Sequence, residues 1–139
     1  MKRLFIDTNI MLDLLGDREP FYEAIAKLAS LADMGKLSLV VSPISIATVN
    51  YFLSKFQTPE IAREKLRKFK IICEICKLDE PIIEKGLNSS FKDFEDSVHY
   101  FSAIAADCEI IITRNGKDFK KSSIPVMTAD EYLKSILKK

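Results

Sequence analysis

The chain has 139 residues, 47% of them apolar, enough to bury a core as one domain over residues 1–139 without disulfide or metal staples. Its 21 basic and 20 acidic residues leave a net charge of +1, so no overall field recruits nucleic acid or membrane, and any basic surface is local. The opening MKRLFID is too short an apolar run for a signal peptide, and no stretch approaches the roughly 18 apolar residues of a membrane span; a cytoplasmic protein with no membrane association is expected.

Lys2 to Ile6 reads as a buried strand, followed at once by Asp7, Thr8 and Asn9. Ile10 to Leu15 suits a short helix ending at Gly16, which would fix Asp7 and Asn9. Phe21, Ile25, Leu28, Leu31 and Ala32 fall at helical spacing up to Met34, with Gly35 as the stop. Leu37 to Val41 is a second strand. Ser42-Pro43 supplies a cap and a first turn for the next helix, which Ile46, Val49 and Leu53 carry to about Phe56, with Asn50 and Tyr51 in its middle.

Thr58-Pro59-Glu60 opens a helix to about Phe69 carrying Arg63, Lys65, Arg67, Lys68 and Lys70. A solvated helix face accounts for this basic run without any function; a phosphate-contacting surface is the alternative. Ile71 to Ile75 reads as a third strand. The C-x-x-C of Cys73 and Cys76 lies in KIICEICKL with no second ligand pair, and the odd total of three cysteines argues against a disulfide framework, so core packing is its reading. Glu80 to Leu87 is a short helix leading into Asn88-Ser89-Ser90.

The most informative stretch runs from Lys92 to Phe119. After Asp93, Phe94, Glu95 and Asp96, the spacing of Phe94, Val98, Phe101 and Ala105 predicts one buried helical face, ending near Asp107. Asp93 and Asp96 share a face with Tyr100, whereas Glu95 and His99 lie off to its side; His99 reads as a surface or packing residue. Glu109 to Thr113 is a buried strand, Arg114-Asn115-Gly116 a turn, and Asp118 lies just beyond. Ile124 to Met127 is a last strand, and Thr128 with Glu131 forms a capping box on a final helix to Leu137.

Strands alternate with helices throughout, which argues an α/β fold with a mostly parallel sheet covered on both faces. Acids in a first helical turn favour the positive end of the helix dipole and need no further role. Ligands of open α/β sheets, however, bind outside the carboxyl ends of the strands, where both Asp7 and Asp118 fall. If Asp7, Asp96 and Asp118 converge, each carboxylate pair about 4 Å apart repels by roughly 4 kcal/mol at an effective dielectric of 20. A cation, or protonation of one acid, relieves that repulsion. Oxygen-only ligands favour Mg²⁺ or Mn²⁺ over zinc, and hydrolysis of a phosphodiester is the natural use of such an ion. The chain has neither G-x-x-x-x-G-K-[ST] nor G-x-G-x-x-G, and its single histidine precludes a zinc site built on several. Ser97 and Thr113 lie near the acids, as plain helix-start and strand-end polarity.

The strand ending in Asp7-Thr8-Asn9, the segment DFEDSVHYFSAIA and the strand IIITRNGKDF together resemble the PIN-domain family over nearly the full chain. That resemblance implies a three-layer α/β/α sandwich whose central, mostly parallel sheet has about five strands. It also implies a metal-dependent ribonuclease acting on single-stranded or structured RNA with Mg²⁺ or Mn²⁺, often as a homodimer, and includes toxins of the VapC type that pair with a small antitoxin. Matched residue by residue, Asp7 takes the place of the first acid and Asn9 of its polar neighbour, and Asp96 that of the acid beginning the long helix. Thr113, Asn115 and Asp118 form the final motif, with Asp118 carrying its charge. Asn50 stands where the family commonly has a glutamate; an amide oxygen binds metal or orients water but brings no charge, and Asp93 is best placed to compensate. The resemblance therefore leaves two readings: a metal-dependent nuclease, or a module of the same fold that binds nucleic acid or a partner with weak or no cleavage.

Overall fold

The computed structural model describes residues 2–137. Its elements in chain order are β1 (Arg3–Ile6), α1 (Thr8–Leu15), α2 (Tyr22–Asp33), β2 (Ser38–Val41), α3 (Pro43–Phe56), α4 (Pro59–Ile71), β3 (Cys73–Ile75), α5 (Glu80–Leu87), α6 (Phe94–Ala105), β4 (Ile110–Ile112), a 3₁₀ turn (Gly116–Phe119), β5 (Val126–Met127) and α7 (Ala129–Leu137). Local chemistry sets most helix starts. Ser42, Thr58, Asp79 and Asp93 each cap the helix that follows by accepting from a backbone N–H one to three residues into it. Thr128 and Glu131 close a reciprocal capping box on α7, at 2.8 and 3.0 Å.

The sheet has five strands in the order β3-β2-β1-β4-β5, and every pairing is parallel. Alternate side chains serve two cores. Leu4, Ile6, Leu39, Val41, Ile110 and Ile112 pack against apolar residues of α1, α2, α3, α4 and α7. Phe5, Val40 and Ile111 turn the other way, against Ala103 of α6, Cys108 and Phe119. Helices thus cover both faces, and the layers are those of an α/β/α sandwich.

The chain starts in the middle of the sheet, steps outward to β2 and β3, then crosses back to place β4 on the other side of β1. Strand order therefore reverses between β1 and β4, and the two adjacent carboxyl ends diverge there into separate connections. Such a switch point leaves a crevice in which open α/β sheets bind ligands.

Two expectations need correction. The buried face of α6 is formed by Ser97, Val98, His99, Ser102 and Ala103, whereas Phe94 is 45% exposed and Ala105 is exposed. Small and polar residues face inward because α6 packs closely on α5 and on the end of β1, leaving the larger Phe94 outside. The strand expected over Ile71 to Ile75 begins only at Cys73; Ile71 closes α4 and is 82% exposed. The cysteines do pack in the core, but Cys73 borders one core and Cys76 lies in the other, because they fall on opposite sides of the sheet.

Candidate active site

Asp7 leaves β1 and caps α1, so its backbone belongs to both. Its N–H donates to the Ile112 carbonyl at 3.0 Å, continuing the β1–β4 ladder one residue past the strand. Its carboxylate is nearly buried, 6% exposed, and is held from two sides. Oδ1 accepts from the Thr8 N–H at 2.8 Å, and Oδ2 accepts from the Thr113 hydroxyl at 2.7 Å. Thr113 is oriented in turn by the Asn115 N–H, which donates to its hydroxyl oxygen at 3.0 Å. The family-motif threonine and the first acid therefore meet across the switch point.

A further set of polar groups supports Asp7 from behind. The Thr8 hydroxyl lies 2.7 Å from that of Ser45 in α3 and 3.3 Å from His99 Nε2 in α6. His99 is fully buried, with Nε2 3.8 Å from Asp7 Oδ1, beyond hydrogen-bond length, and its ring packs against Phe5. Burial lowers its proton affinity against the opposing pull of Asp7, Glu95 and Asp93, so the ring is neutral near pH 7. His99 is thus a packing residue, as expected, but one joined to the site and not a surface group.

Asp96 stands on the first turn of α6, half-buried. Burial, followed by the charges of Asp93, Asp7, Asp118 and Glu95 in that order, pushes its carboxyl up from 3.8 to about 7. Asp93, Asp7, Asp118 and Glu95 thus lie within electrostatic reach of Asp96. Asp96, Asp118 and Asp93 also line one cavity of about 420 Å³ between the start of α6 and the 3₁₀ turn. Asp118 lies exposed on that turn, and Asp93 is the α6 cap, its Oδ1 accepting from the Glu95 N–H at 2.9 Å.

Asn9, in the first turn of α1, and Asn50, in α3, each have a buried side-chain oxygen that no donor reaches. Asn115 contributes through its backbone only; its side chain is exposed. Among the described residues, no group of three or more aspartate, glutamate, histidine or cysteine side chains stands close enough together to hold a metal ion by itself. Asp93, Asp96 and Asp118 border an open crevice, while the Asp7 carboxylate and the Asn9 and Asn50 side-chain oxygens are buried. An octahedral Mg²⁺ or Mn²⁺ suits that arrangement, since such an ion is held by one or two carboxylates and keeps several waters. Crowded carboxylates and orphaned amide oxygens are both relieved by a cation, so the residues fit one.

Sequence reasoning did not find Thr8, Ser45 or the place of His99. A signal existed for each: Thr8 directly follows Asp7, Ser45 lies three residues after the cap Ser42, and His99 lies three after Asp96, one turn along the same helix.

A parallel sheet covered by helices on both faces, with acidic side chains beside its switch point, defines an α/β/α class whose ligand site lies at the carboxyl ends of the strands. A family model for the PIN domain matches residues 3–117, and the chain belongs to that family. It is 27% identical to "Ribonuclease VapC1" of Aquifex aeolicus over 136 residues, 94% of this chain and 93% of the relative. Among solved structures, it is similar to FitAcB from Neisseria gonorrhoeae, with a TM-score of 0.70 at 18% identity over 91% of this chain and 97% of that one. A toxin-antitoxin complex from Klebsiella pneumoniae matches at a TM-score of 0.67 and 25% identity, again over 91% and 97%.

Proposed function

We propose that this protein is a divalent-metal-dependent endoribonuclease and the toxin of a toxin–antitoxin pair, with a small antitoxin as its protein partner. The observation that carries the nuclease reading is Asp96: half-buried on the first turn of α6, it lines one cavity with Asp93 and Asp118, and burial followed by the charges of Asp93, Asp7 and Asp118 pushes its carboxyl up to about 7. The relative named as a ribonuclease, matched over nearly its whole length, supports RNA as the substrate. The toxin–antitoxin complex that shares the fold supports the partner.

In this reading Asp7, Asp96 and Asp118 hold the ion, and Asn9 and Asn50 offer neutral oxygens to it or to its waters. The ion, Mg²⁺ or Mn²⁺, supplies an activated water and stabilises charge on the leaving oxygen. The chain's own residues do the positioning. Thr113 and the Thr8 N–H fix the Asp7 carboxylate, while Ser45 and neutral His99 hold Thr8. Asp96, on the cavity lining, would hold the ion as a carboxylate, for which the ion and the proton would compete. Asn50 in place of a glutamate removes one negative charge and one base, which predicts looser metal binding than in relatives carrying the acid.

The test is cleavage of RNA with added Mg²⁺ or Mn²⁺, in the wild type and in Asp7→Asn and Asp96→Asn. Loss of cleavage in both variants is expected; undiminished cleavage in both sinks the assignment. The toxin reading is checked separately, by growth arrest on expression and its relief by the product of an adjacent small gene.

A further inference from the structure

The cavity beside Asp96 carries free charges of both signs. Asp93, Asp96 and Asp118 border it, and so do Lys92, Lys117 and Lys120. These three lysines are exposed and make no ion pair or hydrogen bond among the described residues, although carboxylates share the same cavity. A fourth lysine, Lys121, is committed: its ammonium donates to the carbonyl and the hydroxyl of Ser90, tying the turn after the 3₁₀ segment to the α5–α6 loop. The walls are therefore braced while the rim charges stay unpaired.

That pattern restricts the occupant. The lysines draw an anionic chain with or without a metal ion, and the carboxylates draw a divalent cation that such a chain brings with it, so the two together satisfy both sets. The lining also includes the Phe91 ring, which sits in an aromatic cluster with Tyr100, Phe101 and Phe119 at centroid distances of 5.4, 6.3 and 6.4 Å. An aromatic ring held rigid beside a basic rim is how proteins seat unpaired nucleotides, the base stacking on the ring and the phosphates meeting lysines. The volume, about 420 Å³, falls within the roughly 300–1,000 Å³ of small-ligand pockets.

We propose that this cavity seats one unpaired nucleotide of the RNA beside the scissile phosphodiester, its base on Phe91 and the flanking phosphates on Lys92, Lys117 and Lys120. The choice of RNA rests on the ribonuclease reading, and the family resemblance already implies single-stranded or structured RNA; what the pocket adds is a seat for one base, which a base inside a duplex cannot reach.

The experiment measures binding of a fluorescent, mixed-sequence single-stranded RNA, and of its duplex, to the full chain in EDTA across a salt series. Cleavage in Mg²⁺ or Mn²⁺ is followed separately. Each single-strand phosphate contact contributes about 0.7 to the slope of log affinity against log salt, so the triple variant Lys92→Gln/Lys117→Gln/Lys120→Gln should flatten that slope by about 2. Phe91→Leu should weaken single-strand binding by about tenfold or more while leaving the slope intact. Because Phe91 also packs, Phe91→Tyr serves as the control and should bind nearly as the wild type. The duplex should bind more weakly than the single strand. A triple variant with unchanged slope and affinity, or a duplex bound as tightly as the single strand, overturns the pocket. Wild-type binding with the expected slope but no cleavage under either ion supports the pocket and refutes the nuclease reading; cleavage with binding indifferent to the lysines does the reverse.

Discussion

Thr113 Oγ1 stands 2.7 Å from Asp7 Oδ2, joining the ends of β4 and β1 where the strand order reverses. Both residues are almost fully buried, at 1% and 6% exposed, so neither loses much by becoming bonded and both lose by being left alone. Thr113→Val keeps the shape and removes the donor. A buried carboxylate deprived of one hydrogen bond should cost about 1–3 kcal/mol of stability. The freed oxygen should also swing, raising the Mg²⁺ concentration needed for half-maximal cleavage, and Thr113→Ser should restore both. Urea denaturation together with a metal titration checks this; equal metal dependence in Val and Ser variants would dismiss the link.

Asp96 makes metal-free stability depend on pH in an uncommon direction. Its folded value, about 7, lies above the ordinary 3.8, so the folded chain binds more protons than the unfolded chain between those limits. Stability from this group is present at low pH and declines as pH rises from about 4 to about 7. The site is half-exposed, so after discounting for solvent the total is roughly 1–2 kcal/mol and not the full value of the shift. Asp96→Asn should abolish the decline. Mg²⁺ competes with the proton, so the rise in melting temperature that it gives should be larger above pH 7 than below. A pH-independent Mg²⁺ effect would contradict the crowding of these acids.

His99 works in the opposite direction. Burial lowers its folded proton affinity, so the unfolded chain binds more protons below about 6.5, and stability from this group is lost as pH falls through that value. The two effects partly cancel in the wild type and separate in the variants: Asp96→Asn should expose the acid-side loss, and His99→Gln should remove it. His99→Gln keeps a side chain able to bond the Thr8 hydroxyl, now 3.3 Å from the ring, and so should retain more activity than His99→Leu. Comparable activity in the Gln and Leu variants would show that the ring serves volume alone.

The sequence is a good guide wherever one residue acts through its own neighbours. The Thr128–Glu131 box and the Ser42-Pro43 and Thr58-Pro59 starts depend on contacts within a few positions, and all form as expected. Asp7 and Asp118 stand out in the sequence because each follows a strand, where the sheet rule places ligands, and Asp96 because it begins the long helix. The behaviour of α6 was not legible there. Its inward face is chosen by how near α5 and β1 approach, and a periodicity of large apolar residues cannot reveal a face built from Ser97, Ser102 and Ala103. The same blindness hid Ser45 and His99, whose partners are 37 and 91 residues distant along the chain.

Gly86 measures that approach. A methyl group there would stand 2.9 Å from Ser97 Oγ, 3.1 Å from Val98 Cγ2 and 3.3 Å from Phe94 Cε1, all on α6. Gly86→Ala in an exposed helix would gain about 1 kcal/mol, but overpacking of this kind costs about 1–3 kcal/mol. The net expectation is a loss, and because α6 carries Asp96, a displaced helix should also reduce cleavage. Ser97→Ala in the same background removes the nearest clash and should return part of the stability. A stabilised Gly86→Ala would mean that α5 and α6 are packed more loosely than these distances indicate.

Arg114 and Asp13 tie α1 to the end of β4 a second time, less buried than the Asp7 link. Arg114 Nε and Nη2 donate to the two Asp13 oxygens at 2.7 and 3.1 Å, and the guanidinium lies 4.0 Å from the Phe21 ring centroid. The partners are unequal: Asp13 is fully buried, whereas the Arg114 side chain is 28% exposed. Arg114→Met strands a carboxylate in the interior and should cost about 2–4 kcal/mol, approaching the ~3–5 kcal/mol of a broken buried pair. Asp13→Asn leaves a cation that can turn to water and an amide that still accepts, so about 1 kcal/mol is expected. The double variant Arg114→Met/Asp13→Leu replaces both charges with apolar volume and should be more stable than Arg114→Met alone. Thr113 precedes Arg114 directly, so cleavage should fall with the single Arg114 variant and recover in the double one if the strut acts by holding the β4 end in place. Stability restored without activity would instead assign Arg114 to the reaction itself.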